Sequence, residues 1–432
     1  MLLTSRLGTL LLVSFALVMV WPQPGQAQSR RDELESQINT RNQEIAKLEE
    51  EIAKLKGNLA NTTKQATTLK GEVARLDTIS NKLLTDIKLT ESRVSQKALV
   101  IERLELDLVR KESNINDLQD GLAEAMRALR EADDHSLVEM VLAGRNFSDF
   151  WVDREHLVQI EAKVYETIVE LKQAHQELKT DKSVAENERR DLLILKIKLA
   201  DQKKINDGAK REQSDLLTST KNQEANYRQL IVGREAKKAA FERELADFEN
   251  QLRLDLDLSK LPATGTRPLA WPLDDIYITQ KFGKTADSVR LYVSGTHNGV
   301  DFRASVGTTV KSVADGLVLG TGDTDIVCPR ASYGRWVLVK HNNGLTTLYA
   351  HLSLIKVNQG QAVGRGELLG YSGQTGYATG PHLHLTVYAS DGVKIDTLKS
   401  KVCRGTYTMP IADPKAYLDP LLYLEGTRLS SP

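Results

Sequence analysis

The chain has 432 residues, more than one ordinary domain needs, and its 58 basic and 58 acidic side chains give a formal net charge of zero. Because neither positive nor negative charge dominates and no basic patch is large, the charge pattern argues against nucleic acid as a partner. Composition shifts along the chain: Glu, Lys, Leu, Arg, Ala and Gln dominate from about residue 28 to 257, and Gly, Val, Thr and Tyr from about residue 262. An extended helical segment followed by a compact domain is therefore predicted.

Residues 1–27 are predicted to be a secretory signal peptide. Arg6 gives a positive start, an apolar run covers residues 7–21, and residues 25–27 offer the small side chains of a cleavage site. The apolar run is rather short for a membrane span, and an uncleaved N-terminal anchor is the alternative. Either reading predicts that the rest of the protein works outside the cytoplasm.

Residues 28–257 are predicted to form a long α-helical coiled-coil hairpin. Apolar residues recur at alternating steps of three and four along residues 45–129, and a second series follows along residues 157–241. As one continuous helix the first series would be about 125 Å long. Residues 131–155 interrupt the pattern and are predicted to lie at or near the turn of the hairpin.

The interruption is rich in aromatic side chains, at Phe147, Phe150 and Trp151. One interpretation is that they plug the end of the coiled coil. The other is that they form a docking surface for another protein.

Residues 258–268 are predicted to be a linker, because Pro, Gly and Thr concentrate there. Residues 269–425 contain short β-type runs separated by glycines, which predict a compact, mostly antiparallel β domain. The predicted fold class is therefore an α + β multidomain protein, a coiled-coil hairpin followed by a β domain. Cys328 and Cys403 both lie in the β part, and an oxidising compartment favours a disulfide between them, with two buried free thiols as the alternative.

Four of the eight histidines and one aspartate stand in three short glycine-flanked phrases, at His297, Asp301, His351, His382 and His384. Residues i and i+2 of a strand share one face, so the side chains of His382 and His384 are expected to enter the same groove. A catalytic zinc typically takes three protein ligands and keeps one position open for water. The phrases can supply three ligands and two further imidazoles for proton transfer.

The three phrases resemble those of the LytM-type, or M23, zinc metallopeptidases, which show His-x-x-x-Asp, Tyr-x-His-Leu and Gly-Pro-His-x-His in this order. The resemblance covers roughly residues 266–424. It implies one Zn²⁺ ion bound by His297, Asp301 and His384. It further implies that His351 and His382 are the catalytic histidines.

The chain departs from the common family pattern in two places that bear on the substrate rim. Residues 324–333, around Cys328, form an insertion. Thr386 stands where the family often has Glu.

The resemblance implies a secreted zinc endopeptidase that hydrolyses peptide cross-links of peptidoglycan with zinc-activated water, in cell-wall remodelling or cell division. The order of signal peptide, coiled coil and LytM-type domain also resembles the murein hydrolase activators. That likeness implies the alternative, a scaffold that activates murein amidases and is recruited by its coiled coil to a membrane division complex. It also favours the periplasm as the location, and it leaves the oligomeric state open.

A third hypothesis concerns regulation. A long helical arm joined by a short linker could hold a segment across the groove and keep the enzyme inactive. Deleting residues 28–257 is then expected to raise activity.

Overall fold

The computed structural model divides the chain into two compact units, Met1–Gln43 with Arg93–Ile194, and Glu44–Ser92 with Leu195–Pro432. Most of the predicted signal peptide and the centre of the predicted turn lie outside the described residues. Among the described helices, none combines the length and apolarity that crossing a bilayer requires. The structure describes residues 24–64, 67–133, 147–252, 256–257, 259, 261–330 and 332–426.

Long helices make up the first part of the described chain. They are α1 (Pro24–Lys64), α2 (Leu69–Asp133), α3 (Phe147–Thr220) and α4 (Glu224–Gln251).

In the first unit, ion pairs join neighbouring helices, and two of them show that α2 and α3 run antiparallel. The guanidinium of Arg30 on α1 contacts Glu102 of α2 at 2.6 Å. The ammonium of Lys97 on α2 lies 2.5 Å from Glu188 of α3, and that of Lys111 lies 2.8 Å from Asp181, so the two sequences advance in opposite directions.

The first apolar series does not lie on one continuous helix. Helix α1 ends at Lys64 and α2 starts at Leu69. The Thr68 hydroxyl accepts a hydrogen bond from Gly71 N–H (3.0 Å) and so caps the new helix. In the second unit, Thr85 of α2 donates to Glu51 of α1 at 3.2 Å, which shows that α1 folds back along α2.

The second apolar series is also broken. Lys221 and Asn222 adopt positive φ angles of 50° and 53°, which end α3 before α4 begins. Among the described residues, the helices therefore have two breaks that the predicted hairpin did not include.

The β domain follows the helices, as predicted, and all of its strand pairs are antiparallel among the described residues. The strands are β1 (Ile278–Gln280), β2 (Val300–Arg303), β3 (Thr309–Lys311), β4 (Gly316–Asp323), β5 (Arg335–His341), β6 (Leu345–Ile355), β7 (Ala362–Val363), β8 (Leu368–Ser372), β9 (His382–Ala389), β10 (Val393–Ser400), β11 (Gly405–Ala412) and β12 (Tyr417–Leu418). The main sheet has the order β1-β2-β9-β6-β5-β4-β7, with β12 paired to β9 and β8 paired to β3 and β6, while β10 and β11 form a separate hairpin. This confirms the predicted fold class of long helices followed by an antiparallel β domain.

Strand β9 shows how alternation separates core from groove. Leu383, Leu385 and Val387 are fully buried in one apolar cluster. Tyr388 lies on the other face, in a second cluster with Met409 of the β10–β11 hairpin. The face that carries His382 and His384 is therefore open at one end and covered by the hairpin at the other.

The helical residues within 44–92 and 195–251 belong to the same compact unit as the β domain. Asp201 of α3 accepts hydrogen bonds from Lys356 Nζ (2.8 Å) and from the Tyr371 hydroxyl (3.1 Å) of the β domain. The fully buried Arg75 of α2 bonds both Glu72 and Gln374. The same unit contains an apolar cluster with members on α1, α2, α3, α4 and β8.

A disulfide joins Cys328, between β4 and β5, to Cys403, between β10 and β11. Cys328 is buried in the second apolar cluster. The bridge therefore ties the insertion to the hairpin that covers this face of the sheet.

Candidate metal centre

Strand pairing brings three of the predicted site residues together. Antiparallel β2 and β9 place Asp301 directly opposite His384, and a bridge between Gly283 and His297 fixes the loop that leads into β2. His384 Nδ1 lies 2.8 Å from Asp301 Oδ1 and 3.1 Å from His297 Nε2, and His297 Nε2 lies 3.3 Å from Asp301 Oδ1. All three residues are buried.

These distances fit a metal ion. A tetrahedral zinc with bonds of about 2.0–2.1 Å separates its ligand atoms by roughly 3.3 Å. Within the described part of the chain, His297, Asp301 and His384 form the group of histidine, cysteine and acidic side chains suited to hold a metal. Two imidazoles and one carboxylate are a ligand set typical of a catalytic zinc with an open position.

Hydrogen bonds on the far side of each imidazole fix which nitrogen faces the centre. Lys281 O lies 3.0 Å from His297 Nδ1, and because a carbonyl can only accept, Nδ1 carries the hydrogen and Nε2 has a free lone pair. The Thr386 hydroxyl lies 2.9 Å from His384 Nε2 and, by accepting from it, leaves Nδ1 free to bind. Partners of this kind orient metal-binding histidines in many sites.

His351 and His382 lie beside the triad, with ring centroids 4.6 Å apart. The Nδ1 atoms face the carbonyl oxygens of Thr375 (2.7 Å) and Gly380 (2.8 Å), respectively, so both side chains keep Nε2 for the groove. His382 Nε2 lies 3.7 Å from Asp301 Oδ1.

The backbone at His351 has a φ angle of 61°, a left-handed conformation that is uncommon for any residue but glycine. Strand β6 pairs with β9 up to Ala350 and with β8 from Leu352, so His351 sits where the strand changes partner. Its N–H donates to Tyr333 O at 2.9 Å. Strained backbone of this kind costs on the order of 1–3 kcal/mol and clusters at functional sites.

The electrostatics favour the protonation states that bind a metal. Burial raises the pKa of the Asp301 carboxyl, but the charge on His382 and hydrogen bonds from His297 and His384 outweigh it, and the pKa lies well below its ordinary value. Burial, with the charges of His382 and His384, lowers the pKa of His351 far below the usual range, and burial also lowers that of His384. The site therefore favours an ionised carboxylate at Asp301 and neutral imidazoles at His351 and His384.

The structure brings all five predicted residues to one groove. Sequence reasoning missed the carbonyls that orient them, since a backbone atom has no residue type to recognise. It also missed Tyr292, whose ring stacks on that of His297 with centroids 5.4 Å apart and planes 11° from parallel. Tyr377, in the loop before His382, forms part of the same surroundings, and an aromatic within a glycine-rich loop is the signal that could have identified it.

Comparison with known proteins identifies this domain. The family model described as Peptidase family M23 matches residues 295–397, which contain all five site residues. The chain carries an M23 peptidase domain. The predicted family is thereby confirmed, and this family is zinc-dependent, in agreement with the His-Asp-His triad.

Two curated relatives each match about a quarter of the chain. The chain is 40% identical over 113 residues to the DD-carboxypeptidase/endopeptidase Mpg of Neisseria meningitidis serogroup B, covering 26% of this chain and 24% of the relative. It is 41% identical over 106 residues to the peptidoglycan DD-endopeptidase ShyA of Vibrio cholerae, covering 24% and 23%. The chain thus spans about a quarter of the length of these relatives.

Among solved structures, a zinc-containing peptidase from Vibrio cholerae is 34% identical, covers 29% of this chain and 38% of its own, and superposes with a TM-score of 0.26.

Proposed function

We propose that this protein is a zinc endopeptidase that hydrolyses peptide cross-links of peptidoglycan. The observation that carries the proposal is the geometry of the triad, three ligand atoms within 3.3 Å of one another with two further imidazoles beside them. The relative ShyA is named a peptidoglycan DD-endopeptidase, which supports the choice of substrate.

The proposed mechanism gives each residue a role. His297, Asp301 and His384 would hold one zinc ion. The chemistry that a bound zinc supplies is polarisation of the scissile carbonyl and a lowered pKa for water. His351 is neutral because its pKa is depressed, so its Nε2 can accept a proton from attacking water.

His382 stands across the groove from His351 and is less buried, with 14% of its side chain exposed. In the imidazolium form of His382, Nε2 carries a hydrogen and is placed to donate a hydrogen bond to developing negative charge on the substrate or a proton to the leaving amine. Because both rings are fixed at Nδ1 by backbone carbonyls, neither has to reorient during the reaction.

The test is digestion of purified murein by the full chain, with fragments identified by mass spectrometry. We expect cleaved cross-links with wild type and none with His384→Ala, while zinc analysis shows the metal lost from the variant. His175→Ala, on the exposed surface of α3, is the matched control and should digest like wild type. Equal digestion by wild type and His384→Ala would reject the proposal.

The same assay separates the alternative role. An activator of amidases would leave murein intact when it is incubated with it alone. Murein would be digested only after a murein amidase is added. The complete set of five site residues favours catalysis, because a binding module does not need them. A signal peptide and a periplasmic location complete the proposal, and cell fractionation with a C-terminal tag tests them.

A further inference from the structure

Helix α4 is attached to the segment that leads into the metal centre. The Glu242 carboxylate accepts a hydrogen bond from Val293 N–H at 2.9 Å. The ammonium of Lys238, one turn earlier, donates to the carbonyl of Leu291. Both acceptor and donor groups of this segment lie a few residues before His297.

Lys238 is buried to an unusual degree for a lysine, with 5% of its surface exposed. Its Nζ lies 3.6 Å from the ring centroid of Tyr377 and 4.8 Å from that of Tyr292. Glu242 on the same helix lies 3.2 Å away. The ammonium is therefore held by two aromatic faces and a carbonyl of the M23 domain, and by one carboxylate of its own helix.

The two rings stand beside the predicted site residues. Tyr292 stacks on His297. Tyr377 belongs to the loop whose Thr375 and Gly380 carbonyls orient His351 and His382. A cation between these rings thus lies between the segment that carries a metal ligand and the loop that orients the catalytic histidines.

We propose that Tyr292, Tyr377 and the Leu291 carbonyl form a subsite for a primary ammonium group of the peptide substrate, and that Lys238 occupies it in this structure. The proposal rests on the proposed function and names the substrate class, peptides with a lysine-like amine close to the scissile bond. Lys238 and Glu242 leave together when α4 moves, as a neutral pair. The M23 domain then keeps the aromatic faces and the carbonyl acceptor.

The chemistry of the subsite selects a cation. A ring face attracts an ammonium through its quadrupole, and the carbonyl accepts one of its hydrogens. A methyl group in the same place would contact the rings but leave the partly buried Leu291 carbonyl without a donor. Discrimination between an amine and an isosteric hydrocarbon is therefore expected.

The experiment measures binding, by calorimetry, of two peptides to full-length protein treated with a chelator so that no turnover occurs. One peptide is a tetrapeptide stem with lysine as its third residue, and the other has norleucine there. We expect Lys238→Met to bind the lysine stem about 10-fold tighter than wild type does, and about 10-fold tighter than it binds the norleucine stem. Lys237→Met, at the exposed neighbouring position, should behave like wild type.

Adding Tyr377→Leu to Lys238→Met should abolish the preference for the lysine stem. Equal binding of the two stems by Lys238→Met, or a preference that survives Tyr377→Leu, would overturn the proposal. Should Lys238→Met lose helicity by circular dichroism, Lys238→Gln, which keeps a donor for Leu291, takes its place in the same comparison. The experiment measures binding and does not depend on turnover. If Lys238→Met prefers the lysine stem but the protein does not digest murein, the subsite is supported and only the proposed endopeptidase activity is rejected.

Discussion

The metal centre and the α4 side of its groove are held in place in different ways. The triad is positioned by strand register and by acceptors within the β domain, such as Lys281 O and Thr386. The other side depends on a helix distant in sequence, through Lys238 and Glu242. The geometry of the triad is therefore fixed within the β domain, whereas the α4 side of the groove is held by contacts with a helix outside that domain.

We call the triad and the acceptors that orient it within the β domain the fixed side of the groove. Its strongest test is Asp301→Asn, which keeps the shape of the side chain and removes its charge. We expect zinc affinity to fall by more than the roughly 10–100-fold that loss of an outer hydrogen-bond partner typically costs, with murein digestion lost as well. Competition with a chelator measures the affinity. Asp215→Asn, exposed on α3, is the control, and an unchanged affinity in Asp301→Asn would remove Asp301 from the ligand set.

On the α4 side, Phe241→Ala should have the largest effect on stability. Phe241 is 1% exposed and packs on Tyr407 of the β10–β11 hairpin, with ring centroids 5.3 Å apart. Truncating a buried phenylalanine typically costs about 3–5 kcal/mol, and here the loss should fall on the docking of α4. Hydrogen exchange of α4 amides measures it.

The autoinhibition hypothesis adds a second expectation for Phe241→Ala, faster murein digestion than wild type. Phe248→Ala, a more exposed position of the same helix, is the matched control. Loosened α4 amides without faster digestion would show that α4 does not restrain the enzyme.

The sequence predicts the metal centre better than the α4 side, because local patterns place the first and contacts between distant residues place the second. The five site residues could be recognised because short phrases and strand alternation place them, so His384 faces Asp301 by local rules. The contact of Lys238 with Tyr377 joins residues far apart in the chain, and no periodicity records it. The break before Thr68 was missed for a related reason, since the apolar series continues in register across it and the signal for the new helix is a single capping hydroxyl.

Glu249 offers a pH test of the α4 side. Burial raises its pKa to about 7, although the Tyr417 hydroxyl (2.6 Å) and Ala412 N–H donate hydrogen bonds that oppose the rise. A carboxyl with a raised folded pKa contributes stability below its unfolded value of 4.5, and loses it as pH rises through about 7. The full effect is at most about 3 kcal/mol.

Urea unfolding of wild type between pH 4 and 8 should therefore show a midpoint that falls as pH rises. Glu249→Gln imitates the protonated carboxyl, so its urea midpoint should lack the fall with pH that Glu249 causes. Parallel curves for the two proteins would show that Glu249 titrates normally.

The smallest expected effect, on the fixed side, is that of Thr386→Val. Thr386 is fully buried and its hydroxyl is the partner of His384 Nε2, so a valine of the same shape leaves that N–H without an acceptor. We expect zinc affinity to fall roughly 10–100-fold with little change in fold, and Thr386→Ser to restore most of it. Equal affinity in the valine and serine variants would mean that strand register alone orients His384, and the fixed side would then owe its geometry to the backbone rather than to this hydroxyl.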